Sequence, residues 1–223
     1  MKKKVLSLCL VFALVAIAVT GVSLAYFTDT EEAVNNFSIG SIEIELIESN
    51  FHPTLDNKTE EEIKEDAKTY DRHVEDLVPG VWVRKAPYVI NKGRSEAYVR
   101  VVLRVDKFIN DCLIISETTD NSIIPSYKWY DADGNVIKTS DVYEEVADYA
   151  SIEYVYTYTK IYAPGEMTEL PAFWQYKIAD ELDQDVFVDY IENSTEVILA
   201  VHTDAIQAET FSSAVEAFAA FDD

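Results

Sequence analysis

The sequence predicts an all-β protein, an antiparallel β-sandwich with a few short peripheral helices. Three observations carry this expectation. Apolar residues recur with period two in separate runs, as in Val99, Val101, Leu103 and Val105, with Arg100 and Arg104 on the alternate face. Turn signals fall between the runs: Pro79-Gly80, Asn91-Lys92-Gly93, Asp133-Gly134 and Pro164-Gly165. Helical patterns are short, so strands do not alternate with the crossover helices that a parallel sheet needs.

Taken in order, the first strand is expected at Ile42 to Ile47, where Ile42, Ile44 and Leu46 alternate with Glu43 and Glu45. Residues 52–78 are polar and charged. Thr59 and Glu62 stand in capping-box spacing, which predicts a solvated helix in an acidic insertion on the outside of a sheet. Two strands follow in "PYVINKGRSEAYVRVVLRVD", joined at Asn91-Lys92-Gly93 as if in a hairpin. "YKWYDADGNVIK" predicts another hairpin, turning at Asp133-Gly134. In "SIEYVYTYTKIY", Tyr154, Tyr156, Tyr158 and Tyr162 lie on one side of a strand. They form either a core face with hydroxyls at the rim, which is the preferred expectation, or an exposed aromatic strip. A late strand carries Val197, Leu199 and Val201 on one face. The chain then closes with a short helix, Ser213 and Glu216 in capping-box spacing and Val215, Phe218 and Phe221 packing.

The N-terminus predicts export. Lys2, Lys3 and Lys4 precede an apolar run from Val5 to Leu24, and Ser23 and Ala25 are the small residues of a signal cleavage before Tyr26. The expected organisation is therefore a signal peptide at 1–25 and one β-sandwich domain at 26–223. The alternative is that the long apolar run is retained as an anchor, the only contact with a membrane. The net charge is −23 and becomes −26 without the three leader lysines. A domain this acidic has no basic face for nucleic acid. Its self-repulsion should weaken at low pH or with divalent cations. Once Cys9 leaves with the leader, Cys112 has no partner for an internal disulfide and reads as a structural thiol.

The junction and the first strands together resemble the TasA/camelysin family, secreted bacterial proteins whose leaders are cut by a dedicated signal peptidase of the SipW type. The matching residues are Ala25, Tyr26, Phe27 and Asp29, then Phe37, Gly40, Ile42 and Ile44. They are followed by the Pro79-Gly80 turn with its two strands and by the C-terminal "AIQA". The resemblance covers residues 1–47 and 77–105 well, the C-terminus moderately, and 106–195 only in general β character. It implies a jelly-roll-like sandwich, export to the cell surface, and assembly of fibres in the extracellular biofilm matrix of a Gram-positive-type bacterium. The subunits would join copies of themselves, or related matrix subunits, by donating an N-terminal strand. Tyr26, Phe27, Phe37, Ile42, Ile44 and Leu46 would be the donor residues. The other possibility is that Ile42 to Ile47 simply pairs within its own sheet.

Two other functional classes place different demands on the sequence. A cell-surface adhesin or glycan-binding sandwich would use the tyrosine strip. A camelysin-like metallopeptidase would need a zincin motif, two histidines four apart on a helix. His52, His73 and His202 are far apart in sequence, so neither a metal site nor catalytic residues are expected. "DADGN" at 131–135 places its glycine wrongly for a calcium loop and reads as a hairpin turn. The cluster Glu60, Glu61, Glu62, Glu65 and Asp66 is expected to be a solvated helix face. No cofactor fingerprint is present. The expectation is a secreted, non-enzymatic structural subunit.

Overall fold

The computed structural model describes residues 28–32, 42–49, 62, 63, 65, 78–194 and 198–222. These contain β1 (Thr28–Glu32), β2 (Ile44–Ser49), β3 (Val83–Arg84), β4 (Ala86–Asn91), β5 (Ala97–Asp106) and β6 (Leu113–Glu117). β7 (Ile123–Tyr130), β8 (Val136–Ser140), β9 (Ser151–Tyr158), β10 (Phe173–Ile178) and β11 (Leu199–Gln207) follow. Helices α1 (Lys107–Cys112), α2 (Gln184–Asn193) and α3 (Ala214–Asp222) are short and peripheral. The fold is all-β and antiparallel, in two layers.

One layer is a six-stranded sheet in the order β1-β11-β5-β9-β7-β8. The other layer joins two ladders, β2-β4 and β3-β10-β6. They are continuous because residues 83–91 run nearly straight beside residues 165–178. Lys85 N donates to Trp174 O, Ala172 N to Pro87 O and Thr168 N to Val89 O. Between the layers lies the main core. Val99, Val101, Leu103 and Val105 meet Tyr156, Trp129, Phe173, Tyr176 and Ile178, with Ile42, Ile44, Leu46 and Val89 at one side.

Local chemistry accounts for several elements. The β7-β8 hairpin turns where expected. Asp131 N donates to Asn135 O, Asp131 Oδ1 accepts from Asn135 N, and Gly134 takes φ 81°, a region glycine enters freely. α1 begins because Asp106 caps it, its carboxylate accepting from Ile109 N at 2.9 Å. α3 begins at a displaced capping box: Ser213 Oγ accepts from Glu216 N, while Glu216 reaches back to Ser212 N rather than to Ser213.

The structure corrects three expectations and decides between the two readings of the tyrosine row. Asn91-Lys92-Gly93 is a corner between layers, not a hairpin, since β4 pairs with β2 and β5 pairs with β11 and β9. The buried Asn91 amide holds this corner, donating to Ser95 O and Tyr162 O, while its Oδ1 accepts from Gly93 N. Tyr154, Tyr156, Tyr158 and Tyr162 are all buried, so no exposed tyrosine strip exists. β9 is covered by the second layer, which leaves only hydroxyls to reach the rim. Tyr156 Oη donates to Glu117, Tyr158 Oη to Leu170 O and Tyr154 Oη to Asn110 Oδ1. In the acidic insertion the described residues Glu62, Ile63 and Glu65 are helical, but Ile63 is 4% exposed. It packs with Ile47, Ala86, Tyr88, Ile90 and Met167, so this described residue of the insertion covers apolar side chains of β2 and β4. Val215 is 55% exposed, whereas Phe218 is buried and Phe221 packs beside it.

Candidate functional site: the edge closed by the N-terminal strand

Sequence reasoning put weight on residues 26–47. Ser23, Ala25, Tyr26, Phe27 and Phe37 lie outside the described residues. Ile42, Ile44 and Leu46 are 1%, 3% and 8% exposed. β2 pairs with β4 from Ile44↔Asn91 to Ser49↔Ala86. The donor anchors expected from the sequence therefore face this chain's own core, as the within-sheet alternative required. Full burial of such side chains is worth about 1.5–3 kcal/mol each. Withdrawing β2 would lose all three.

β1 is a different kind of strand, and sequence reasoning missed it. It reads "TDTEE", with no apolar residue and low strand propensity. It pairs antiparallel with β11: Thr28↔Ile206, Asp29↔Ala205, Thr30↔Asp204, Glu31↔Thr203 and Glu32↔His202. Nothing on its far side continues the sheet among the described residues. β1 and β2 lie against each other, so both close the same flank of the sandwich. The only signal in the sequence was negative, a short polar stretch that the edge of a sheet tolerates because backbone bonds hold it.

β11 is the platform that receives it. Val201 and Ala205 belong to the core between the layers. Asp204 and Ile206 occupy the alternate, outer face. There Ile206 packs with Tyr98, Ala214, Ala217 and Phe218 under α3. Beside them is a buried ionic cluster. Arg100 on β5 stands opposite Asp204 in the ladder. Its Nε donates to Asp204 Oδ2 at 2.8 Å. Its two terminal nitrogens donate to Asp222 Oδ1 and Oδ2 at 2.8 and 2.9 Å. The guanidinium also lies 4.6 Å from the Phe218 ring centroid and 5.1 Å from that of Phe221. Lys128 on β7 adds a bond to Asp222 at 2.6 Å. α3 is thus fastened at its last turn, where a carboxylate would otherwise oppose the helix dipole.

The electrostatics of the cluster follow from its contacts. Burial disfavours the Arg100 charge, but the bonds to Asp222 and the Asp204 charge outweigh it and the guanidinium is held more firmly protonated than usual. Burial likewise disfavours the Asp222 carboxylate. Hydrogen bonds from Arg100 and Lys128 overcome this, and its pKa lies below the ordinary value. Asp204 is 2% exposed, and among the described residues its Oδ1 has no hydrogen-bond partner.

Other features stand apart from this edge among the described residues. A cleft of about 450 Å³ is lined by Arg104, Asp131, Asp133, Gly134, Ser151 and Ile198. Asp131 is occupied in the turn by bonds from Asp133 N and Asn135. Arg104 stacks on the Tyr130 ring at 4.7 Å. Cys112 is half-buried, with Sγ 3.2 Å from Phe108 O, and its pKa is pushed up to about 11 by burial and then by Asp106 and Asp111. Among the described residues no three His, Cys, Asp or Glu side chains stand close enough to hold a metal ion. His52 and His73 lie outside those residues. Among the described residues, too, no helix is long and apolar enough to cross a membrane. No protein-family model, curated protein or solved structure matches this chain.

Proposed function

We propose that this chain is an exported, non-enzymatic structural subunit that polymerises into extracellular fibres by strand addition. The mature N-terminal segment of one copy lies on β11 of the next. The observation that carries the reading is β1, a polar strand at the extreme edge of the large sheet that brings the core no apolar residue. Its ladder bonds are worth about 1 kcal/mol each net. Fixing each of its residues costs about 1–2 kcal/mol in backbone entropy. The two terms are comparable, so β1 exchanges at low cost. The copy that replaces it makes the same backbone bonds in the same groove. Residues 33–43 connect β1 to β2, and a chain of that length spans at most about 36–40 Å, which allows β1 to leave its own sheet while β2 stays in its own core.

The partner is thus a second copy or a closely related subunit, with a signal peptidase acting first to free the strand. The acidic net charge supports a polymer whose growth depends on screening. The glycan-binding alternative loses its residues, because the tyrosines that would stack on sugar rings are buried.

The test compares two purified chains by negative-stain electron microscopy and sedimentation, one beginning at Tyr26 and one at Asn35. Fibres from the longer chain alone are the expected result. Equal polymerisation of both, or of neither, would overturn the reading.

A further inference from the structure

β5 carries Arg100 and Arg104 on the outer face of the large sheet, and the fold treats them differently. Arg100 is saturated by three bonds of 2.8–2.9 Å to two carboxylates. Among the described residues, Arg104 has no carboxylate within hydrogen-bond distance. The nearest, Glu153 Oε1, stands 3.7 Å from one terminal nitrogen. The other terminal nitrogen donates a long bond of 3.3 Å to Ser151 Oγ. Nε is buried and has no partner. Glu153 is directed elsewhere, its Oε2 accepting from Tyr130 Oη at 2.6 Å. The Tyr130 ring backs the guanidinium at 4.7 Å. Most of the five guanidinium donors are therefore unused by the chain. Carboxylates are not scarce, since the chain has 41 acids for 18 lysines and arginines. A methionine in this place would pack on Tyr130 and bury no donor, so packing alone does not account for an arginine.

Arg104 lines the cleft of about 450 Å³, a volume suited to a small molecule. Its side chain is 35% exposed, and with Nε sealed the fork of terminal nitrogens is the part a ligand can reach. Asp133, in the β7-β8 turn, lines the same cleft. Its N–H is spent on Asp131, but among the described residues nothing bonds to its carboxylate.

We infer that this cleft binds a small zwitterion of the amino-acid type, with its carboxylate on the terminal nitrogens of Arg104 and its ammonium on Asp133. The fork of a guanidinium matches a planar carboxylate with two parallel bonds. Charge balance favours a zwitterion over a simple anion. Asp131 and Asp133 in the cleft, on a chain of net charge −23, repel phosphate or sulfate. An amine without a carboxylate would meet the positive charge of Arg104 and leave its donors unused. Ala150 and Ile198 offer an apolar wall to the carbon chain of the ligand. The site shares no residue with β1, so its test is separate from that of strand addition.

The experiment titrates the mature chain with lysine, which offers a carboxylate with an amine at both a short and a long spacing. Acetate and lysine amide serve as controls, the first lacking the amines and the second the carboxylate. Two-dimensional NMR follows the backbone amides of Gly134 and Ser151 and the Arg104 Nε–H. The expected result is a saturable shift of all three with lysine, half-complete on the order of 1 mM, and binding about 10-fold or more weaker for either control. Arg104→Met should abolish the lysine response. Asp133→Asn, at an exposed turn position, should lower lysine to the level of acetate. A linear, unsaturated response to lysine would overturn the inference. So would acetate or lysine amide binding as tightly as lysine, or a lysine response unchanged in either variant.

Discussion

Replacing Arg100 by methionine tests how the large sheet holds its C-terminal helix. The side chain keeps most of its aliphatic volume, so the change is chiefly electrostatic. It removes three charge-assisted bonds, one to Asp204 and two to Asp222. Asp222 retains Lys128 and is about one-third exposed, so water compensates part of its loss. Asp204 has no such relief, because its side chain is 3% exposed. Breaking a buried pair by removing one partner typically costs about 3–5 kcal/mol. The stacking on Phe218 and Phe221 adds about 1 kcal/mol. The expected loss is therefore about 4 kcal/mol, or roughly 8–16 °C in Tm for a domain of this size. Urea unfolding followed by near-ultraviolet circular dichroism measures it. The pH dependence supplies a second check. Asp222 has a depressed folded pKa, so its contribution is present above the unfolded carboxylate value of about 3.9 and is lost as pH falls through the folded one. The gap between wild type and variant should be full near neutrality and narrow in acid by the share that Asp222 contributes. A loss below about 1 kcal/mol at pH 7 would refute the argument that an orphaned buried charge dominates, and a gap that does not narrow at all in acid would refute the part assigned to Asp222.

Other consequences follow from particular contacts. Ile63→Ser should cost about 2–3 kcal/mol and make residues 50–77 the first site of limited proteolysis, because Ile63 is the one described residue of the insertion that is buried against β2 and β4. Gly80→Ala should destabilise by about 1–3 kcal/mol in thermal unfolding. Gly80 has φ 82°, and a Cβ there would stand 2.5 Å from Asp180 Oδ1. Alkaline titration should show delayed ionisation followed by unfolding. Burial raises the pKa of Tyr88, Tyr154, Tyr156 and Tyr158, so the stability they confer is present below the unfolded value of about 10 and is lost as pH rises above it. Absorbance at 295 nm together with circular dichroism would expose a failure, namely full tyrosinate signal near pH 10 with the fold intact. Cys112, with its pKa pushed up to about 11, should react with a thiol reagent at pH 8 far more slowly than free cysteine.

The sequence by itself determined the fold class, because period-two runs such as Val99 to Val105 leave a strand only one apolar face to bury. It determined the β7-β8 turn at Asp133-Gly134 and the box that starts α3, since these depend on residues within four positions of one another. What faces what was decided by tertiary structure. Tyr154, Tyr156 and Tyr158 alternate as well for an exposed strip as for a core, and only the second layer closing over β9 makes them core. Asn91-Lys92-Gly93 has the composition of a hairpin, yet β5 finds its ladder partners about a hundred and about fifty residues downstream, in β11 and β9. Ile42, Ile44 and Leu46 carry the pattern expected of a donor strand and are spent on the chain's own core. The polar "TDTEE", which no pattern marks as a strand, takes the edge of the sheet because β11 presents unpaired backbone there. The cluster of Arg100, Asp204 and Asp222 joins residues more than a hundred positions apart. No local spacing encodes it, since the geometry that brings these charges together exists only after both the sheet and the last helix have formed.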